Sequence, residues 1–164
     1  MVLGGYRMTT FINFIAGPCA GKSTAAATMF AEAKRRGYAA EMIPEFAKVA
    51  VLEGVPITLG RQLQFLGNQI QREEALAGVV DFVFSDGPAS VVAYYTRHGA
   101  EGLVADHYAA LQRAGHRIIN YFVPRRFAFD PKGRIHDEAE SRMIDETLRL
   151  MWACDPLPED PWPF

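Results

Sequence analysis

The chain reads as one α/β domain of three layers, a parallel sheet of four to five strands with helices on both faces. Three observations predict it. Short apolar runs alternate with helical patterns along most of the sequence, and such alternation forms parallel sheets through helical crossovers. The first run breaks into a small-residue turn that ends in Gly-Lys-Ser-Thr and an alanine-rich stretch. Polar groups follow directly on four run ends: that turn, Glu45, Asp86 and Arg125. Ligands of parallel sheets gather at the carboxyl ends of the strands.

Residues 11–15, FINFI, have the apolar continuity of a buried strand. The turn after them fits G-x-x-x-x-G-K-[ST] from its sixth position on, with Ala16 where the first glycine usually stands. A loop of this kind curls backbone N–H groups inward as an anion nest, and the following helix presents its positive dipole end. Gly17 and Gly21 tolerate backbone angles that other residues resist and carry no Cβ to block a phosphate. Gly17, Pro18, Cys19, Ala20, Gly21, Lys22, Ser23 and Thr24 are therefore the candidate polyphosphate loop. Lys22 is expected on the β- and γ-phosphates and Ser23 on Mg²⁺. The structural alternative, a bare strand-turn-helix, leaves Lys22 and Ser23 without a role.

A helix is predicted over 23–36, with Lys34, Arg35 and Arg36 in its last turn and Gly37 as its stop. A strand over 38–43 ends at Pro44-Glu45, and 46–52 forms one or two helical turns. Thr58 caps a long helix reaching about Leu76. Leu59, Leu63, Leu66 and Ile70 mark its apolar face, with Gln62, Gln69 and Gln71 spread around it. A strand at 82–85 is cut by Asp86-Gly87-Pro88. Helices follow over 89–97 and 102–114, and then a strand over 117–123 ended by Pro124. After a basic irregular stretch, 125–134, Asp137 and Glu140 are spaced as a capping box for the last helix. Its stripe pairs Met143 with Ile144, Thr147 with Leu148 and Met151 with Trp152. The proline-rich segment from Asp155 is non-helical; a fifth strand is not evident, unless a short irregular one closes the chain.

The totals narrow the classes. At 164 residues one domain is the natural expectation. A net charge of −2 supplies no global field toward nucleic acid or an anionic membrane. Two cysteines offer neither metal spacing nor a disulfide framework, which suits a reducing cytoplasm. Residues 1–10 lack a signal-peptide pattern and read as a flexible extension. No run is long enough to span a bilayer, so no membrane partner is expected.

Four groups of residues are candidates for chemistry. Asp86, just past a strand, suits Mg²⁺ as a hard oxygen ligand, often through water; the alternative is a turn aspartate. Glu45 suits a general base toward an acceptor hydroxyl; the alternative is a surface glutamate capping a short helix. Arg125, Arg126, Lys132 and Arg134 suit a lid that neutralises a transferring phosphoryl group, or else a solvated basic loop, with Phe127 and Phe129 packing the lid or stacking on a base. Gln62 and Gln69 suit a nucleobase edge, since an amide both donates and accepts, or are simply exposed.

Taken in order, IAGPCAGKST, PEFAK, FVFSDGP and FVPRRFAFDPKGR resemble small bacteriophage-type P-loop kinases and related nucleotide-kinase-like ATPases over nearly the whole chain. The resemblance implies a P-loop kinase domain over 11–154 with an arginine-rich lid at about 124–136, followed by a proline-rich tail over 155–164. It implies ATP and Mg²⁺ as cofactors and a hydroxyl of a nucleoside, a nucleotide or a modified base in DNA, such as 5-hydroxymethyluracil, as acceptor. PEFAK looks like the Pro-Glu block of deoxynucleoside kinases, which gives Glu45 the base role and Arg125, Arg126 and Arg134 the lid roles. Those kinases carry arginine after the third-strand aspartate, where this chain has Gly87. A nucleoside monophosphate kinase and a nucleotide-dependent switch ATPase are the alternatives.

Overall fold

A computed structural model describes residues 7–96, 99–130, 135–160 and 162–164. In chain order the elements are β1 (Thr10–Ile15), α1 (Lys22–Arg35), β2 (Ala40–Ile43), α2 (Phe46–Leu52), α3 (Leu59–Leu76), β3 (Phe82–Ser85), α4 (Ala89–Thr96), α5 (Ala100–Arg113), β4 (Arg117–Phe122), α6 (Glu138–Met151) and β5 (Asp155–Pro156). The sheet has strand order β2-β3-β1-β4-β5 and every pairing is parallel. β1 lies at its centre and is buried along its length. The closing strand is the two-residue β5, whose proline is tolerated because it sits on the sheet edge.

Side chains alternate across the strands, so neighbouring residues of β1 serve opposite cores. Phe11 packs with Phe65, Leu66, Tyr108 and Leu111 of α3 and α5. Ile12 and Phe14 pack with Ala26, Met29 and Ala33 of α1. The segment beyond β5 joins that second core through Trp162, which is 5% exposed among Tyr38, Phe82 and Phe164. These residues form part of the domain's packing.

α3 buries Gln62, Phe65, Leu66, Gln69 and Glu73, whereas Leu59 and Leu63 are exposed. The apolar face expected from leucine spacing is therefore rotated, because a polar hub claims the buried side. Glu73 accepts from Gln69 Nε2 at 2.9 Å and from the Ala89 N–H at 3.2 Å, and lies 2.9 Å from His107 Nε2. Gln69 Nε2 also donates to Ser85 Oγ at 3.1 Å. A carboxylate at the first residue of α4 complements the positive end of that helix and fixes the turn at 86–88. Tyr108 continues the polar layer, its hydroxyl accepting from Asn13 Nδ2 and the Ser90 N–H. Burial, reinforced by the Glu73 carboxylate, holds that hydroxyl well above its usual range, so it stays protonated.

Asp137 and Glu140 form the expected capping box on α6. The buried stripe behind it is Ser141, Ile144, Asp145 and Leu148, and Met143 is exposed. Asp145 faces inward because the loop after β1 uses its carboxylate.

Glu73→Ala strands two donors and His107 inside the protein. It is expected to cost about 2–4 kcal/mol in urea denaturation; a loss below about 0.5 kcal/mol contradicts the hub.

Candidate active site

The loop between β1 and α1 has two left-handed positions, Cys19 at φ 62° and Gly21 at φ 99°, and α1 starts at Lys22. That conformation costs a cysteine roughly 1 kcal/mol, and strain of this kind clusters at ligand clamps. Left-handed positions of this kind curl a main chain into the concave turn that anion-binding nests use. Lys22 is buried, and its Nζ donates to the Gly17 carbonyl at 2.9 Å. Cys19 Sγ donates to the Asp130 carbonyl at 3.1 Å, tying the loop to the basic segment.

The first half of the loop is held by α6. The Gly17 N–H donates to Asp145 Oδ1 at 2.6 Å, and Arg125 Nε donates to Asp145 Oδ2 at 2.5 Å. Arg125 Nη1 donates to the Pro18 carbonyl at 2.8 Å, and Nη2 donates to the carbonyl and hydroxyl of Ser141 at 2.9 and 2.6 Å. Arg125, expected on the lid, thus has its donors on the loop backbone and α6. Gly17 has a packing reason as well. A Cβ there would meet the Ser141 carbonyl at 2.5 Å and Asp145 Oδ1 at 3.1 Å, so glycine serves the approach of α6.

The second half of the loop, Cys19, Ala20, Gly21, Lys22, Ser23 and Thr24, lines a cavity of 210 Å³ together with Glu45, Lys48, Phe127, Ala128 and Asp130. Pro18 lies beyond it, on the neighbouring groove. Glu45 stands at the N-cap of α2 but makes no capping hydrogen bond, so its carboxylate is available to the cavity. Gly87 explains its position: a Cβ there would lie 2.8 Å from both Cβ and Cγ of Glu45. Any larger residue at 87 displaces Glu45. Lys48 sits three residues after Glu45 on α2. Sequence reading did not single it out, although the PEFAK block contains it.

Asp86 is 3% exposed and its Oδ1 has no hydrogen-bond partner among the described residues. A buried, orphaned carboxylate oxygen is costly unless a cation or water meets it. A carboxylate oxygen is a hard donor of the kind Mg²⁺ takes, although Asp86 is not among the residues that line the loop cavity.

From Glu45 and Lys48 the surface continues into a groove lined by Ile57, Gln62, Tyr95, Ile135 and His136. Tyr95 stacks on His136 with ring centroids 5.9 Å apart. Gln62 is 9% exposed and its Oε1 lacks a hydrogen-bond partner among the described residues. Gln69, expected as its companion, is fully buried in the Glu73 hub and does not reach this groove. On the other flank of the loop, Phe127 lies over Gly21, where a Cβ would meet its ring at 3.0 Å, and Arg126 is exposed beside it. Arg134, with Lys132, lies outside the described residues.

The AAA domain family profile matches residues 11–156 of this chain. Among solved structures, the APS kinase of Mycobacterium tuberculosis in complex with AMPPNP and APS is 15% identical, with a TM-score of 0.48; the match covers 71% of this chain and 63% of that one. A cysteine-to-alanine variant of the same enzyme is 17% identical over 88% of this chain and 94% of that chain, with a TM-score of 0.48. A gluconokinase from Sinorhizobium meliloti is 16% identical over 95% of this chain and 80% of that chain, with a TM-score of 0.40. No curated protein matches the sequence significantly. Among the described residues no helix is long and apolar enough to cross a membrane.

Arg125→Ala separates a brace from a lid. Loss of the brace is expected to lower stability by roughly 2–4 kcal/mol and to weaken nucleotide binding about tenfold or more. Unchanged stability and affinity with a fall in turnover alone contradict it.

Proposed function

The chain belongs to the AAA domain family, and from that premise we propose that it is a P-loop phosphotransferase, a kinase that moves the γ-phosphoryl group of ATP to an acceptor hydroxyl. One observation carries the reading: Glu45 lines the same cavity as the loop residues Cys19 to Thr24. A base there stands beside the terminal phosphate of a bound triphosphate and opens onto a second groove that receives the acceptor.

In this mechanism the loop amides and Lys22 bind the β- and γ-phosphates. Lys22 leaves the Gly17 carbonyl for the stronger charge. Ser23 and Asp86 would hold Mg²⁺, which when bound supplies neutralising charge at the phosphate oxygens. Glu45 accepts the acceptor's hydroxyl proton as that oxygen bonds to the γ-phosphorus. The bond to the bridging oxygen breaks, and ADP leaves with the electron pair. Lys48 lines the cavity beside Glu45 and stabilises charge on the moving group.

The acceptor groove favours a planar base. Tyr95 and His136 offer an aromatic wall, and the unpartnered Oε1 of Gln62 offers an acceptor for a ring N–H. A nucleoside, a nucleotide, or a hydroxymethylated base presented from DNA meets that description.

Incubation with γ-labelled ATP and a panel of nucleosides, monophosphates and 5-hydroxymethyluracil DNA identifies the acceptor class. On that acceptor, Glu45→Gln is expected to reduce turnover by about 100-fold or more with affinity for Mg·ATP nearly unchanged. Gly87→Ala, which pushes Glu45 aside, is expected to act in the same direction. Near-normal turnover of Glu45→Gln contradicts the base role, and label appearing only as inorganic phosphate contradicts the kinase in favour of a switch ATPase.

A further inference from the structure

We infer that Gln69 and Glu73 of α3, oriented by His107 of α5, are positioning residues: they clamp both ends of the turn at 86–88 and, through Gly87, hold Glu45 at the cavity. The inference rests on the phosphotransferase reading and adds to it residues that line neither the phosphate cavity nor the adjoining groove.

The two side chains meet the turn from opposite ends. Gln69 Nε2 donates to Ser85 Oγ at 3.1 Å, on the last residue of β3. Glu73 Oε1 accepts the Ala89 N–H at 3.2 Å, on the first residue of α4. Gln69 Nε2 also donates to that same glutamate oxygen at 2.9 Å, so the two grips form one unit. Residues four apart share a helix face, and Gln69 and Glu73 are both buried. Between the grips stand only Asp86, Gly87 and Pro88. The proline fixes one φ angle of the turn, and its carbonyl accepts from the Val91 and Val92 N–H groups. β3 pairs with a strand on each side, so the sheet already fixes the first end. The second end is a helix start, whose N–H groups have no partner within the helix. Glu73 supplies one there.

Gly87 passes the position on. A Cβ there would lie 2.8 Å from Cβ and Cγ of Glu45 and 2.9 Å from its Cα. Gly87 takes no left-handed angle, so the contact rather than the turn conformation calls for glycine. Glu45 therefore rests against the main chain of residue 87, and a shift of the turn shifts Glu45. His107 Nε2 lies 2.9 Å from Glu73 Oε2. A carboxylate oxygen only accepts, so Nε2 donates. That bond occupies Oε2 and leaves Oε1 turned to Gln69 and Ala89. A buried carboxylate with partners on both oxygens has one orientation. Packing of α3 on α4 alone does not call for it, since apolar residues of similar volume are often as stabilising as a buried ionisable pair.

The test follows transfer of label from γ-labelled ATP to the nucleoside, monophosphate or oligonucleotide of the panel that takes it, alongside calorimetric titration with Mg·AMPPNP. Glu73→Met, close in length and without an oxygen, is expected to lower kcat at least about tenfold while Mg·AMPPNP affinity stays within about twofold. Glu73→Gln keeps a carbonyl oxygen for Gln69 and Ala89 and is expected to hold kcat within about threefold of the wild type. In the Glu45→Gln background, Glu73→Met is expected to cost less than about threefold more, because the residue it positions is already disabled. Leu111→Ala, a core truncation outside the clamp, is expected to lower stability and leave kcat unchanged. If Glu73→Met does not fold, Glu73→Asp, which retracts the carboxylate by one methylene, decides by the same measurements. An undiminished kcat in the folded Met or Asp variant overturns the inference and leaves the kinase standing. So does a comparable kcat loss in Leu111→Ala, or a tenfold loss that persists in the Glu45→Gln background. Label that appears only as inorganic phosphate overturns the kinase and this inference with it.

Discussion

The Asp145 carboxylate holds the site together. One oxygen accepts the Gly17 N–H and the other accepts from Arg125, whose remaining nitrogens reach the Pro18 carbonyl and Ser141. A largely buried ion pair offsets its desolvation only when its other donors and acceptors are also satisfied, and here they are. The pair pins the first half of the loop to α6. The second half, from Cys19 on, lines a cavity. On the proposed reading, the brace keeps the first half of the loop in place when a polyphosphate binds the second.

The strand exits then act together because the sheet is parallel. β1 delivers the loop, β2 delivers Glu45 and β3 delivers Asp86, all at the carboxyl edge. Gly87 allows the close approach, since Glu45 lies where its Cβ would stand. The glycine that departs from the deoxynucleoside kinase pattern therefore has a local reason in this chain. The phosphate cavity has a compartment on either flank. One opens past Glu45 and Lys48 toward Gln62 and Tyr95, and the other opens past Phe127 toward Leu157 and Glu159.

Much of this was legible in the sequence. Alternating apolar runs and Gly/Pro stops located the elements of the sheet and its helices, and the Gly-Lys-Ser turn located the loop. Periodicity failed where polar residues take buried positions. Leu59 and Leu63 look like a core face on α3, yet Gln69 and Glu73 hold that side because His107 and the start of α4 need them. Met143 was misplaced for the same reason, since Asp145 is drawn inward by Gly17. Arg125 reads as a lid residue because it sits in a basic run, and its partners lie on α6, distant in sequence. No local pattern announces that the tail returns to pack Trp162 on Tyr38 and Phe82.

The central claim is that one cavity brings a polyphosphate and the Glu45 carboxylate together. A crystal structure with Mg·AMPPNP tests it most directly. The expected result places the triphosphate on the amides of Cys19 to Thr24, with its terminal phosphate turned toward Glu45 and Lys48. A terminal phosphate turned toward Phe127, or a nucleotide bound away from the loop, contradicts it.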